Sequence, residues 1–382
     1  MQHHVFLVPG FFGFTELGSI PYFAHVAEWV AECFRRHRSD VVVHRTPTLP
    51  TASIAQRALR LRAAIHDAAP RGPIHIFAHS SGALDARYLL AHEDPRDPRI
   101  GEVKTMVGVG APYRGTPIAA YFAGVRGHRL LGLLSLATAY SLRFGGLPLG
   151  ALAKLVGVFA RVDDVLRLNR NILDQLGNEL LSDFSPERRR ALASLLTDVK
   201  TDHSLIPQLT PRRMQLFHRT TPDRPGVRYG SVVTRGRRPG IRTTWRAGLD
   251  PYAQLTHSWY ALLHSLSTQF QSRRRPQLPE AYRAPLSAHY GDAPTWLSSD
   301  GVVPSLSQLH GELVHAASAD HLDVIGHFED RDHFPPHYDW LASGSGFGRR
   351  EFETLWGDVV AFALRDSISS PWTSESTANH HA

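Results

Sequence analysis

A serine in surroundings that suit nucleophilic catalysis stands at the centre of Ala78-His79-Ser80-Ser81-Gly82, between a predicted strand and a predicted helix. A strand–turn–helix is the context of the Gly-x-Ser-x-Gly motif, whose sharp turn lifts the serine hydroxyl above the edge of the sheet. The turn requires small residues two positions before and after the serine, and Ala78 and Gly82 meet this requirement. We expect Ser80 to attack an acyl carbon while the backbone N–H of Ser81 stabilises the developing oxyanion. An ordinary turn in which a serine caps the helix is the alternative.

A carboxylate and an imidazole that could activate this serine lie in the last quarter of the chain. Asp300 belongs to the turn Ser298–Pro304, and His321 follows a strand-like segment, in Ala319–Asp323. In a catalytic triad a neutral histidine takes the serine proton, and a buried carboxylate fixes the tautomer of the histidine. An Asp-Gly pair by itself is typical of a plain turn, and the chain contains 23 histidines. The prediction therefore depends on the pairing of the two segments in the order Ser, Asp, His.

A glycine-containing turn, Pro9–Phe14, follows the first predicted strand. A backbone N–H at the carboxyl end of a strand beside the serine turn can point into the same pocket. We therefore predict that Phe11 is the second oxyanion donor, together with Ser81. An aromatic turn that only packs against the core is the alternative.

The hydrophobic pattern indicates a scaffold that brings these distant segments to one edge of a sheet. Short apolar runs typical of buried strands alternate with stretches whose apolar residues recur at helical spacing. Strands joined by helices of this length form parallel sheets that are covered on both faces. The predicted strands are 5–8, 41–43, 74–78, 103–109, 227–233 and 313–316, and the predicted helices are 22–37, 53–69, 81–90 and 349–366.

An insertion interrupts the predicted core. We assign residues 1–116 to the first half of the core, 117–225 to a helical cap or lid, 226–366 to the second half and 367–382 to a disordered tail. Residues 271–294, rich in proline and arginine, indicate a loop or linker. The insertion is dense in leucine between positions 130 and 160. So much apolar surface either lines an acyl-chain tunnel, opens as a lid, or forms a small core of its own.

Together these segments resemble the α/β-hydrolase superfamily, and within it the bacterial lipase and esterase group. The resemblance is carried by the Gly10-Phe11 turn, the Ser80 turn, Gly110–Thr116 and the Asp300 and His321 pair, and also by Leu209–Phe217 and 227–229. It covers residues 4–116 and 205–328. It implies an α/β-hydrolase fold, in which a mostly parallel central sheet is flanked by helices and carries a helical cap or lid.

The resemblance also implies a carboxylic-ester hydrolase, of lipase or carboxylesterase type, that works through an acyl-enzyme. Its residues would be Ser80, Asp300 and His321 for catalysis, Phe11 and Ser81 for the oxyanion, and Phe12, His79 and Tyr113 for substrate contact. The chain departs from the family in having Pro9-Gly10 where His-Gly is usual, which changes the polarity of the pocket but keeps the backbone donor. The alternatives are an acyltransferase, thioesterase or amidase with the same triad, and a catalytically silent binding protein.

Asp323 occupies the place where some secreted lipases of this group bind a structural Ca²⁺, two residues after the catalytic histidine. The partner carboxylate expected upstream of Asp300 is not evident, and Glu280 is a poor candidate for it. Asp323 could instead cap a helix or form a local hydrogen bond, so we assign no metal and no cofactor. A further group of histidines and aspartates is more typical of a solvated loop than of a metal site; it comprises His327, Asp330, Asp332, His333, His337 and Asp339.

Composition and charge exclude several classes of protein. The chain has 382 residues, of which 42% are hydrophobic, too many for a disordered or fibrous protein. Its net charge of +7 gives a general attraction to anionic surfaces rather than a nucleic-acid-binding design. We therefore expect an ester substrate, at most transient contact with a lipid surface, no nucleic acid and no partner protein. Cys33 is the only cysteine, which excludes an internal disulfide. Without a signal-like start or an apolar run of about 18 residues, we expect a cytoplasmic protein.

Overall fold

A six-stranded parallel sheet forms the centre of the protein. The computed structural model describes residues 2–11, 16–17, 20–123, 202, 204–246, 251–270, 275–330, 339 and 341–365. Its strands are β1 (His3–Val8), β2 (Glu16–Leu17), β3 (Ile20–Pro21), β4 (Val41–Arg45), β5 (Ile74–His79), β6 (Val103–Val109), β7 (Arg228–Thr234) and β8 (Glu312–Ala317). The sheet has the order β4-β1-β5-β6-β7-β8, and β2 and β3 form a separate antiparallel ribbon.

The parallel register brings the carboxyl ends of the strands to one edge. Val8 pairs with Ala78, and Ala78 pairs with Gly108 on the next strand. The segments that follow β1, β5, β6, β7 and β8 therefore leave the sheet side by side. In open sheets of this kind ligands bind outside these carboxyl ends.

Helices cover both faces of the sheet. The described helices are α1 (Val26–Arg36), α2 (Ile54–Ala68), α3 (Gly82–His92), α4 (Pro117–Phe122), α5 (Leu205–Gln208), α6 (Pro211–Thr220), α7 (Ile241–Arg246), α8 (Pro251–Ser267), α9 (Glu280–Tyr290) and α10 (Arg349–Leu364). Residues alternate between the faces along each strand. Phe6 and Ile76 pack on the side of α2 and α3, whereas Leu7 and Phe77 pack on the side of α1 and α10. This double burial explains the nearly continuous apolar runs of the predicted strands.

The predicted strands and flanking helices are confirmed, with ends that differ by a few residues, but the loop predicted over 271–294 is wrong for residues 280–290. These residues form α9, in which Leu286 is fully buried against Val233 and Leu306. Tyr282 and Tyr290 lie four residues to either side of Leu286 and cover the same cluster. This helical spacing was present in the sequence, and the prolines of the region obscured it.

Most of the predicted cap, namely residues 124–201 and 203, and the tail from 366 onwards lie outside the described residues. The expectation that the leucine-rich stretch contacts substrate falls on this part of the chain. Within the described ranges, no helix has both the length and the hydropathy needed to cross a membrane.

Candidate active site

Ser80, Asp300 and His321 meet at the carboxyl edge of the sheet. His321 Nε2 lies 3.1 Å from Ser80 Oγ, and His321 Nδ1 lies 2.8 Å from Asp300 Oδ2. All three side chains are buried. In this arrangement Nδ1–H donates to the carboxylate, which leaves Nε2 free to accept the serine proton. The three predicted catalytic residues thus form a continuous hydrogen-bonded series with His321 in the middle.

Ser80 lies in a strained turn between β5 and α3. Its φ is +53°, in the left-handed region that residues other than glycine rarely adopt. A Cβ at Gly82 would lie 2.6 Å from the carbonyl oxygens of Val8 and Pro9, so only glycine lets α3 begin this close to β1. Backbone strain and close approach are the features expected of a nucleophile turn.

The carboxylate of Asp300 is held by four donors in addition to the histidine. Its Oδ1 accepts the backbone N–H groups of Val302 (2.9 Å) and Val303 (2.7 Å). Its Oδ2 accepts from Thr234 Oγ1 (2.7 Å) and Gln308 Nε2 (3.1 Å). These contacts fix the position and orientation of the Asp300 carboxylate beside His321. Sequence reasoning missed Thr234 and Gln308, since no motif marks either residue.

The turn after β1 is fixed by a fully buried arginine. Arg57 Nη2 donates to the carbonyl oxygens of Pro9 (2.9 Å) and Gly10 (3.0 Å). In a trans peptide the C=O and the following N–H point in opposite directions. Because the Gly10 carbonyl oxygen accepts a hydrogen bond from Arg57, the N–H of Phe11 in the same peptide points away from the arginine. A Cβ at Gly10 would lie 2.6 Å from the Cβ of Ser80, so this turn and the serine are in direct contact.

Asp85 on α3 compensates the charge of Arg57. Arg57 Nε donates to Asp85 Oδ2 at 2.8 Å, and both side chains are buried. Burial raises the pKa of Asp85 to about 7, although the neighbouring guanidinium lowers it. A buried ion pair of this kind is costly to break, because removing one partner leaves an uncompensated charge. In the sequence, the one indication that Arg57 is buried was its position on the apolar face of the predicted helix 53–69.

A chain of hydrogen bonds joins the turn after β1 to the loop of His321. The N–H of Gly10 donates to the Tyr22 hydroxyl (2.9 Å), and this hydroxyl lies 2.7 Å from His79 Nδ1. His79 Nε2 lies 3.0 Å from the carbonyl oxygen of His321, so Nε2 carries the proton and Nδ1 accepts. Burial, helped by the nearby imidazole of His321, lowers the pKa of His79 well below its ordinary value, which keeps the ring neutral.

A largely apolar cavity of about 220 Å³ lies over the serine. Its walls come from α4 and α5, at the two ends of the predicted cap, and from α8, which sequence analysis did not predict. The side chains that these three helices contribute are Ile118, Ala119, Phe122, Ile206, Trp259 and Leu263. Such walls suit an uncharged hydrocarbon group rather than a polar one.

Only some of the residues predicted to contact the oxyanion and the substrate line this cavity. Phe11 and His79 line the cavity, and Ser81 is buried at the start of α3. Tyr113 does not line it: the side chain is fully buried in the core, where its hydroxyl contacts Met106 Sδ. Phe12 lies outside the described residues.

Three carboxylates lie close together beside His321. One oxygen each from Asp320, Asp323 and Asp339 lies within 4.8 Å of the others. Burial raises the pKa of all three residues, and the neighbouring carboxylates raise them further. Asp320 Oδ2 is buried and has no hydrogen-bond partner among the described residues. Carboxylate oxygens are the donors that Ca²⁺ prefers, so this donor set fits a hard cation.

Asp323 also forms local hydrogen bonds, which the sequence analysis gave as the alternative to a metal site. Its Oδ2 accepts from the N–H of Asp320 (2.9 Å) and from Ser345 Oγ (3.2 Å). Glu280, the upstream candidate partner, is an exposed residue that pairs with Arg283 instead. In the later group of histidines and aspartates, His327 contacts the carbonyl of Tyr22, Asp330 pairs with Arg349, and Asp332, His333 and His337 lie outside the described residues.

The known proteins that share this architecture include bacterial lipases. No protein-family model and no curated protein matches the chain. Its structure is similar to that of lipase 1 from Pelosinus fermentans, with a TM-score of 0.50 and 16% identity over 96% of this chain and 99% of that one. Two further similar structures are Staphylococcus hyicus lipase (TM-score 0.48, 12% identity, 95% of each chain) and EstA from Clostridium botulinum (TM-score 0.47, 17% identity, 90% of this chain and 86% of that one). The first similarity establishes the fold, and the chain has the predicted α/β-hydrolase fold.

Proposed function

We propose that the chain is a serine carboxylic-ester hydrolase that acts on lipid-like acyl esters through an acyl-enzyme. The observation that carries the proposal is the hydrogen-bonded series from Ser80 through His321 to Asp300 at the floor of an apolar cavity. The fold adds support, because α/β-hydrolases carry their triads in this chain order.

In the first step Ser80 Oγ forms a bond to the ester carbonyl carbon as its proton passes to His321 Nε2. Asp300 stabilises the imidazolium that results. The electron pair of the carbonyl moves onto its oxygen, where the backbone N–H groups of Phe11 and Ser81 are the proposed donors. Loss of one such donor typically lowers the rate by about 100- to 1000-fold.

The oxyanion then collapses, the carbon–oxygen bond to the alcohol breaks, and His321 gives its proton to the departing alcohol. The acyl-enzyme is now formed, which completes the first half of the reaction. Water then attacks the acyl-enzyme with His321 again acting as the base. The bond to Ser80 Oγ breaks, the serine regains its proton, and the carboxylic acid leaves. Neither half requires a cofactor.

The size and lining of the cavity favour an acyl group as its occupant. Its volume of about 220 Å³ is below the roughly 300–1,000 Å³ of sites that enclose a whole drug-sized ligand. We therefore expect the hydrocarbon part of the ester to occupy this space and the alcohol to remain outside it. If the predicted cap also contacts the substrate, long or bulky acyl groups are favoured over small charged ones.

Contact with a lipid surface is a further part of the proposal. Ile241 and Trp245, one turn apart on α7, are 80% and 81% exposed. Exposed apolar side chains of this size, Trp above all, are suited to the boundary between water and lipid. Sedimentation with lipid vesicles would detect this contact, and Trp245→Ser should reduce it without changing hydrolysis of a water-soluble ester.

We also propose that Asp320, Asp323 and Asp339 hold a calcium ion. The ion would link the loop of His321 to Asp339, and would compensate three carboxylates that burial otherwise penalises. Its role would be structural, since Ser80, His321 and Asp300 complete the chemistry without it.

The decisive experiment compares Ser80→Ala with Ser258→Ala, a surface serine of α8, on chromogenic esters of one alcohol with acyl chains of two to about sixteen carbons. We expect Ser80→Ala to lose about 10⁴-fold or more in rate while the Ser258→Ala control keeps full activity. The acyl length at which the rate peaks reports the length of the binding space. Wild-type rates in folded Ser80→Ala would refute the proposal.

Covalent labelling and matched substrates separate the alternatives. An organophosphonate should label the peptide that contains Ser80, and failure to label the folded protein would favour a silent binding protein. The hydrolysis rates of an ester, a thioester and an amide of one acyl group show which of these bonds the protein cleaves fastest. Added alcohols test for an acyltransferase, which would form a new ester in preference to free acid.

A further inference from the structure

A second and larger cavity, of about 780 Å³, lies beside the catalytic one. The two share the segment Gly110–Thr116: Pro112 lines the catalytic cavity, whereas Arg114 lines the second. Polar and charged residues outnumber the apolar ones among those that line the second cavity; they include Arg114, Gln215, His218, Arg219, Arg275 and His310. Its lining thus contrasts with the apolar walls over Ser80.

The charge of this cavity is strongly positive. Arg114, Arg219 and Arg275 come from three separate segments, so no single basic run explains their convergence. None of the three forms an ion pair with a carboxylate of the described residues, and no acidic residue lines the cavity. Like charges that converge repel one another, and a bound anion would relieve this repulsion.

Asp223, a carboxylate in contact with the lining residue His310, is already compensated. Asp223 accepts from Arg87 Nη2 at 2.8 Å and lies 3.1 Å from His310 Nε2. Arg87 also donates to His218 Nδ1 (3.0 Å), whose Nε2 donates to the carbonyl of Tyr113 (2.6 Å). His218 is therefore neutral, in agreement with burial that lowers its pKa to about 4. The net charge of the cavity thus comes from the three arginines.

Two of these arginines are anchored before any ligand binds, Arg275 through its side chain and Arg114 through its backbone. The guanidinium of Arg275 lies over the ring of Trp296, 3.9 Å from its centre. The backbone N–H of Arg114 donates to Ser307 Oγ at 3.0 Å, within the rigid segment that follows β6. Burial also lowers the pKa of Arg114, and among its neighbours only the Tyr282 hydroxyl counters this effect. A guanidinium that is stacked as in Arg275 loses little entropy when it binds a ligand.

We propose that this second cavity binds the phosphoryl group of a phosphate monoester. Guanidinium groups pair with phosphate oxygens through two parallel hydrogen bonds, and a dianion matches several of them at once. The volume of about 780 Å³ exceeds that of a bare phosphate ion and leaves room for an organic part beside Gln215. This site makes no use of Ser80 and is independent of the proposed ester hydrolysis.

The test uses the full chain and three probes: inorganic phosphate, glycerol phosphate, and vesicles of phosphatidylcholine with or without phosphatidic acid. Binding is measured by calorimetry or co-sedimentation at constant ionic strength set with chloride. We expect Arg219→Gln and Arg275→Gln each to weaken glycerol phosphate binding by about tenfold or more, the usual effect of losing a charged hydrogen bond. Arg212→Gln, an equal change of charge on an exposed residue of α6 outside the cavity, is the matched control.

Each outcome is informative. Binding of glycerol phosphate but not of vesicles assigns the site to soluble phosphate esters, and binding of phosphatidic acid vesicles alone assigns it to a lipid headgroup. Ser80→Ala should keep phosphate binding whether or not ester hydrolysis is found. The proposal is wrong if no probe binds above the chloride background, or if Arg212→Gln weakens binding as much as Arg219→Gln does.

Discussion

Arg57 Nη2 lies 3.0 Å from the carbonyl oxygen of Gly10, and this contact orients the peptide next to Ser80. The arginine reaches the turn from α2, on one face of the sheet. It also donates to the carbonyls of Pro9 and Leu49 and pairs with Asp85. A single fully buried guanidinium therefore joins the turn after β1 to the helix that follows Ser80.

We expect Arg57→Lys to lower kcat for a chromogenic ester at least tenfold with little change in KM. A lysine ammonium cannot reach this set of acceptors in a fixed plane, so the Gly10–Phe11 peptide would lose its orientation. The oxyanion exists only after attack, and a donor that acts on it affects kcat rather than substrate binding. Arg62→Lys, which alters a surface pair with Glu93, is the control. An unchanged kcat in folded Arg57→Lys would show that Arg57 does not orient this peptide for catalysis.

Tyr22→Phe should destabilise the protein by about 1–3 kcal/mol and lower kcat. Loss of the hydroxyl leaves the Gly10 N–H and His79 Nδ1 without their buried partner, and unsatisfied groups of this kind have such a cost. Urea unfolding and initial rates on one soluble ester measure the two effects. Tyr88→Phe is matched, because the Tyr88 hydroxyl bonds to none of the described residues. If Tyr22→Phe and Tyr88→Phe have the same free energy of unfolding, the hydrogen bonds of the Tyr22 hydroxyl do not stabilise the fold.

Calcium should stabilise the wild-type protein against heat, and a chelator should reverse the effect. A ligand that binds only the folded state at 100 times its Kd contributes about 2.7 kcal/mol. Asp339→Asn should lose the calcium response, whereas Glu280→Gln, at the surface, should keep it. The same unfolding temperature in calcium and in chelator would exclude the proposed ion.

Acid should destabilise the fold through His75, a buried residue of β5. Burial lowers its pKa to about 3, and the charges of His3, Arg228 and Lys104 also oppose its protonation. In the unfolded chain the pKa returns to about 6.5, so below that pH the unfolded state binds the extra proton. The stability present above pH 6.5 is therefore lost as the pH falls towards 3, by at most about 1.4 kcal/mol per pH unit.

Urea unfolding of wild type and His75→Gln at pH 7.5 and pH 5 measures this effect. The wild type should lose more stability between the two pH values than His75→Gln. His92→Gln, at an exposed position, should behave as the wild type does. If His75→Gln and the wild type lose the same stability, His75 does not cause the acid sensitivity.

The sequence predicted the elements that depend on neighbours along the chain. The six strands of the central sheet, the helices α1, α2, α3 and α10, and the turn around Ser80 follow from residue spacing, turn chemistry and burial, which act over a few positions. Asp300 and His321 could be identified because each stands in a short turn pattern after a recognisable strand or loop.

Other features were decided only when distant segments met. Arg57 with Gly10, Tyr22 with His79, and Asp339 with Asp320 have no characteristic separation along the chain, since the sheet and its crossovers set which loops meet. The same holds for Arg114, Arg219 and Arg275, which look like ordinary surface residues in the sequence. Local patterns therefore determined which residues could react, whereas tertiary packing alone decided what orients them, because hydrogen bonds and charge pairs depend on distance in space.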